Sequence, residues 1–194
     1  MIRTLQDYRQ AGFGSQFAWL DFVNSQERDG FGRMTDHLRN PFWLVNFSHH
    51  FHLADPLPPS APLHTLADLR EFLRGVADNL AAGRTLSASD IRTLNDALMV
   101  PARQKLFQHQ NGFRAELFPL RSGWPWILSR IAASLADTLT HYDRERVKIC
   151  ANEGCRWAYY DVTKGNMRRW CNDRTCGNRD RVRRARAAAK RRRR

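Results

Sequence analysis

Charge and sulfur are both concentrated in the last quarter of this 194-residue chain, and that asymmetry limits what it can fold into. Up to Asp143 there are 14 Lys and Arg against 14 Asp and Glu. From Arg144 onward there are 18 against 5, so the whole formal excess of +13 lies in 51 residues. All four cysteines, Cys150, Cys155, Cys171 and Cys176, fall in the same stretch. Two modules are implied: a neutral one over residues 1–143, long enough for its own core, and a basic, sulfur-bearing one over 144–190, trailed by a basic tail at 191–194.

The cysteines read Cys-x4-Cys, fifteen intervening residues, Cys-x4-Cys, with no histidine among them. That donor set suits one tetrahedral Zn(II) per chain, structural because four protein sulfurs leave no position open for water or substrate. Each pair closes a small knuckle, and Gly154 is expected to supply a positive φ in the first. Two disulfides are the plainer alternative, but they require an oxidising compartment. The opening MIRTLQDYRQAGF has no apolar signal region, so a cytoplasmic location is expected, on the nucleoid in a bacterial cell. An iron–sulfur cluster also takes four thiolates, usually at tighter spacings.

Between the cysteine pairs, Trp157 and Tyr159 alternate with Arg156, Ala158 and Tyr160 in the period of a strand. Lys164-Gly165-Asn166 supplies a turn, and Met167–Trp170 is expected to return as the second strand of a hairpin. Trp157, Tyr159 and Trp170 then serve as the finger's small core or as a platform for unpaired bases. After Cys176 a helix is expected, with Asn178 as N-cap and Asp180 near its positive end. Val182, Ala185 and Ala189 form a narrow apolar stripe that can lie on the hairpin, beside a cationic stripe of Arg179, Arg183, Arg186 and Lys190. Arg181 and Arg184 extend the basic surface. Arg179 equally fits a structural bond to a hairpin carbonyl, and the run from Lys190 to Arg194 reads as a solvated block adding sequence-independent phosphate affinity.

The first 143 residues read as mainly helical. Thr65 is a candidate N-cap for a helix carrying Leu66, Leu69, Leu73, Val76 and Leu80 on one face and ending at Gly83. Ser87 starts a second, with Ile91, Leu94 and Leu98, before Pro101. A third follows Pro125 and carries Trp124, Ile127, Leu128, Ile131, Leu135 and Leu139 toward the finger. Between the last two, Asn111-Gly112 joins Lys105–Gln110 to Phe113–Phe118 as a type I′ hairpin. Phe17–Val23 and Met34–Leu44 also read as helices, and proline-rich Leu53–Pro62 as a loop. The fold class is therefore mainly α: a helical N-terminal domain with one β-hairpin, plus a C-terminal treble-clef or ribbon-like zinc finger of hairpin and basic helix. No apolar stretch approaches the length of a membrane span.

Three runs are distinctive together: Cys150-x4-Cys155, Arg168-Arg169-Trp170-Cys171, and Cys176-Gly177-Asn178-Arg179 leading into a basic helix. They resemble the CGNR zinc finger family. Leu20-Asp21-Phe22-Val23-Asn24 is similar to the opening of the helical ABATE domain that precedes the finger in those proteins. The resemblance implies a stress-induced transcription regulator whose finger binds nucleic acid.

Residue chemistry points the same way, since guanidinium groups on a rigid mount can hold phosphates and pair with guanine edges. The expected nucleic-acid contacts are Arg168, Arg169, Arg179, Arg181, Arg183, Arg184, Arg186 and Lys190, with DNA favoured over RNA. A small-molecule sensor is a second expectation for the N-terminal domain, with Asn24, Trp43 and Trp124 lining the pocket. The His49-His50-Phe51-His52 run lacks the Glu of a known zinc motif, and no phosphate loop or nucleophile elbow appears, so no enzyme is expected. An RNA-associated or protein-binding zinc module, and an enzyme in the N-terminal domain, stand as alternatives.

Overall fold

Helix α1 (Ala18–Val23) is buried on every side, which fixes the layout of a computed structural model that describes residues 15–110 and 112–192. Trp19, Leu20, Phe22 and Val23 are fully buried, and Trp19 donates its indole N–H to Thr138 Oγ1 at 2.8 Å. The chain continues through β1 (Gln26–Arg28), β2 (Met34–Asp36), α2 (Pro41–His50), α3 (Leu63–Ala81), α4 (Ala88–Leu98), β3 (Ala102–His109), β4 (Gly112–Pro119), α5 (Trp124–His141), β5 (Val147–Ile149), β6 (Ala158–Tyr160) and α6 (Asn178–Arg192). The strands pair antiparallel as β1–β2, β3–β4 and β5–β6. The fold is mainly α, and α1 lies against both α3 and α5. Among the described residues no helix is long and apolar enough to cross a membrane.

The apolar stripes do the packing. Leu66, Leu69, Leu73, Val76 and Leu80 of α3 are buried, as are Ile127, Ile131 and Leu135 of α5. Ser87 and Asp90 form a reciprocal capping box at the start of α4, with bonds of 3.1 and 2.8 Å. Gly83 ends α3 at φ +70°, a conformation that glycine adopts without a Cβ penalty. Helix α3 begins at Leu63 rather than after Thr65, because the ring of Pro62 already holds a near-helical φ of −77°. Met34–Leu44 is not one helix. Met34–Asp36 pairs with β1, and the helix starts at Pro41, where the Asn40 side chain accepts from the Phe42 and Trp43 amides. The turn residue Asn111, the N-terminal segment 1–14 and Arg193–Arg194 of the tail lie outside the described residues.

Arg70 is buried beneath this face and takes Asp36 in a bidentate pair at 2.6 and 2.9 Å. Those bonds hold the Asp36 carboxyl below its usual pKa, against the opposing effect of burial. A depressed carboxylate stabilises the fold above about pH 4, and that contribution disappears as pH falls through the folded pKa. Asp36→Asn is therefore expected to cost about 2 kcal/mol at pH 7, because Arg70 loses its counter-charge. Chemical denaturation should show the difference from wild type shrinking toward pH 3.

The main core does not stop at residue 143. Val147 and Ala158 are buried in the same cluster as α1, α3 and α5, with β5 packed against α3 and β6 near α1.

Candidate metal centre and basic arm

Strand β5 delivers Cys150 at its end, and a tight knuckle over 150–156 brings back Cys155, whose amide donates to Asn152 O at 2.8 Å. Cys171 follows an irregular segment, and Cys176 sits in a wide π-type turn, Asp173–Gly177, that runs into α6. All four Sγ atoms lie within 4.8 Å of one another, and the cysteines are unbridged. The Cys155–Cys171 and Cys171–Cys176 sulfurs are 3.7 and 3.8 Å apart. Four sulfurs about 2.3 Å from a central zinc sit at tetrahedral edges of about 3.8 Å, whereas a disulfide needs about 2.05 Å. The cluster therefore fits a four-thiolate ion. The thiols pull against one another: hydrogen bonds from Cys155 and Cys171 draw Cys150 down, and the exchange with Cys150 pushes Cys155 up. A dication resolves that conflict by stabilising every thiolate at once.

The support around the sulfurs differs from the expected hairpin. Strand β6 pairs with β5, not with Met167–Trp170. Buried Asp161 accepts from Lys148 Nζ, the Thr163 amide and hydroxyl, and the Arg168 amide, so residues 161–168 loop back instead of extending into a strand. Tyr159, Trp157 and Trp170 pack on the sulfurs as a small core, and Tyr159 Oη donates to Arg168 O at 2.8 Å. Gly154 does not adopt a positive φ; Arg156 does, at 52°. Gly154 is needed for space instead, since a Cβ there would lie 2.6 Å from Gly30 O, and Gly30 N donates to Gly154 O at 3.1 Å. The N-cap is Asn172, accepting from the Arg174 and Thr175 amides, while Asn178 is already helical.

Two family models match the chain. One, ABATE, described as "Putative stress-induced transcription regulator", covers residues 17–142. The chain belongs to the ABATE family. The second, CGNR zinc finger, covers residues 146–194, so the two modules follow in the order that the sequence motifs imply. Both descriptions are of non-enzymatic kinds of protein. A search of curated proteins finds no match.

The ABATE domain grips the CGNR finger from several sides. Asn24, 2% exposed, donates from Nδ2 to Ala158 O and accepts from Ala158 N, both at 2.8 Å. Arg74 bonds the carbonyls of Val23 and Arg156, and the Arg156 guanidinium holds Asp78 through 2.9 and 3.0 Å contacts. Arg179 donates to Asp29 O at 2.8 Å and lies 4.5 Å from the centre of the Phe31 ring. Sequence reading missed Asp29, Phe31, Arg74, Asp78 and Arg156 as docking residues. No local pattern marks them, because their partners lie up to 150 positions away.

The folded finger also sorts the expected arginines. Arg168 is turned inward, bonding the carbonyls of Trp170 and Cys171 over the Tyr159 ring, and so helps to organise the finger. Arg179 is likewise a clamp. Arg181 pairs with Asp173, and Arg183 and Arg184 share Asp180. Arg169 is exposed beside Trp170, while Arg186 and Lys190 have no acidic partner among the described residues. The stripe of Val182, Ala185 and Ala189 does not lie on the hairpin. Residues 181–191 are all exposed, so α6 projects as a solvated rod roughly 16 Å long.

Of the expected ligand residues, Asn24 has both ends of its amide on Ala158. Trp43 is stacked on Phe47 and His37, and Trp124 donates its indole N–H to Pro59 O. His49 and His52 line a small pocket with Ser48, Ala54 and Asp55, and they do not belong to the metal-binding group formed by the four cysteines.

Proposed function

We propose that this protein is a zinc-dependent, DNA-binding transcription regulator of the cytoplasm. Cys150, Cys155, Cys171 and Cys176 hold one structural Zn(II), the ion that best suits an all-sulfur tetrahedron without redox chemistry. The observation that carries the reading is the free arm. From Arg181 to Arg191 every residue is exposed and the helix is rich in guanidinium groups, an arrangement that suits a polyanion. A lone helix is narrow enough for the major groove of duplex DNA, whereas the deep, narrow groove of an RNA helix excludes it. Arg169, Arg186, Lys190 and Arg191 are the first phosphate contacts. Arg181, Arg183 and Arg184 must exchange a carboxylate for a phosphate. Sensing at Asn24, Trp43 and Trp124 has less support, since the polar groups of Asn24 and Trp124 are already bonded and Trp43 is stacked into the core.

Competition binding in physiological salt tests this reading. Preference for one selected duplex over bulk duplex and folded RNA is expected, with a log–log salt slope of about −0.9 for each phosphate neutralised. Equal binding to any polyanion contradicts it. Asp180→Asn frees Arg183 and Arg184, so this variant is expected to bind DNA about two- to tenfold tighter, with a steeper salt slope, in the same assay.

A further inference from the structure

The β3–β4 hairpin is long and almost wholly solvated. All eight residues of β4 from Gly112 to Pro119 pair with β3, and no other strand among the described residues lies beside β4. One face carries Leu106, Phe113 and Leu117, exposed by 69, 71 and 51%, with no charge among its residues. The opposite face carries Arg103, Lys105, Arg114 and Glu116 around Phe107 and Phe118. An isolated two-stranded hairpin is marginal in water, and a free apolar edge is a template for another strand.

We propose that two copies of the chain join through β4, antiparallel about a two-fold axis at Ala115, into a four-stranded sheet. The sequence of β4 is self-complementary in this one register. Phe113 falls opposite the partner's Leu117, and Ala115 opposite the partner's Ala115. Arg114 falls opposite the partner's Glu116, twice over by symmetry. Within one strand Arg114 already pairs with Glu116, and Lys105 faces Glu116 across the hairpin, so on association Arg114 and Glu116 share their charges with the partner's pair and charges alternate along that row. A shift of two residues one way sets Arg114 against the partner's Arg114; the other way it sets Glu116 against the partner's Glu116. A shift of one joins an apolar face to a charged one. Strand β3 offers Arg103 and Lys105 but no acid, so its edge lacks this complementarity. Edge pairing buries little area, so the dimer is weak, with a Kd on the order of 10 µM. It places two basic arms on one assembly, as a regulator reading two half-sites requires.

Sedimentation velocity on the full, metal-loaded chain between about 1 and 100 µM tests the pairing over the range that such a Kd demands. Wild type is expected to dimerise as concentration rises. Arg114→Glu and Glu116→Arg each set like charges opposite one another and should weaken self-association on the order of tenfold or more. Mixing the two variants restores both opposite-charge rows, so the mixture is expected to form heterodimers, a rescue that a misfolded hairpin would not give. Wild type that stays monomeric throughout, variants that dimerise like wild type, or a mixture without recovery each overturn the proposal.

Discussion

Cys171→Ser is expected to release the metal and melt the knuckle, the π-type turn and the root of α6 while β5 and β6 stay in place. Structural zinc in small modules contributes apparent binding energy on the order of 10 to 16 kcal/mol, and a serine hydroxyl does not replace a thiolate at such a site. The melting should stop where other forces take over. Val147 and Ala158 belong to the core built by α1, α3 and α5, and Asn24 fixes Ala158 by two hydrogen bonds. Hydrogen exchange on the metal-loaded and Cys171→Ser proteins distinguishes the regions. Protection should be lost over 150–157 and 166–180 and kept over 147–149 and 158–160. Loss throughout both sets would mean that the metal, rather than the core, holds the strand pair.

Asn24→Ala should be among the most damaging single changes outside the sulfurs. Among the described residues the amide is the sole side chain bonded to the Ala158 N–H and C=O, and Ala158 is fully buried, so truncation leaves a donor and an acceptor without partners away from water. At about 1–3 kcal/mol for each orphaned group, plus a small cavity, the expected cost is about 3–5 kcal/mol. Denaturant unfolding of the metal-loaded protein measures it. A cost under about 1 kcal/mol would show that water or a backbone shift replaces the amide.

Elements driven by local chemistry were legible in the sequence. Ser87 and Asp90 cap their own helix, Pro125 starts another, and the leucine stripe of α3 matches its buried face. The four sulfurs are brought together as their spacing implied, because short knuckles and one turn suffice. What was not legible depends on contacts between distant segments. The strand beside β6 comes from Val147–Ile149, upstream of the first cysteine, because Asp161 gathers the downstream chain into a loop. Arg168 and Arg179 have the composition of nucleic-acid contacts, but Cys171 O and Asp29 O claim them, and only the folded chain reveals those acceptors. Asn24 looked like a polar handle for a ligand because nothing nearby in sequence needs its amide; the group that does is 134 positions away.

The central claim is that a sulfur-held metal fixes the root of a basic arm that engages duplex DNA. Fluorescence anisotropy of a labelled duplex, titrated with the metal-loaded protein and again after chelation under reducing conditions, tests it most directly. The arm keeps its charge when the metal leaves but loses its fixed mount, so affinity at physiological salt is expected to fall by roughly tenfold or more and to return on adding Zn(II). Equal affinity with and without metal would contradict the account.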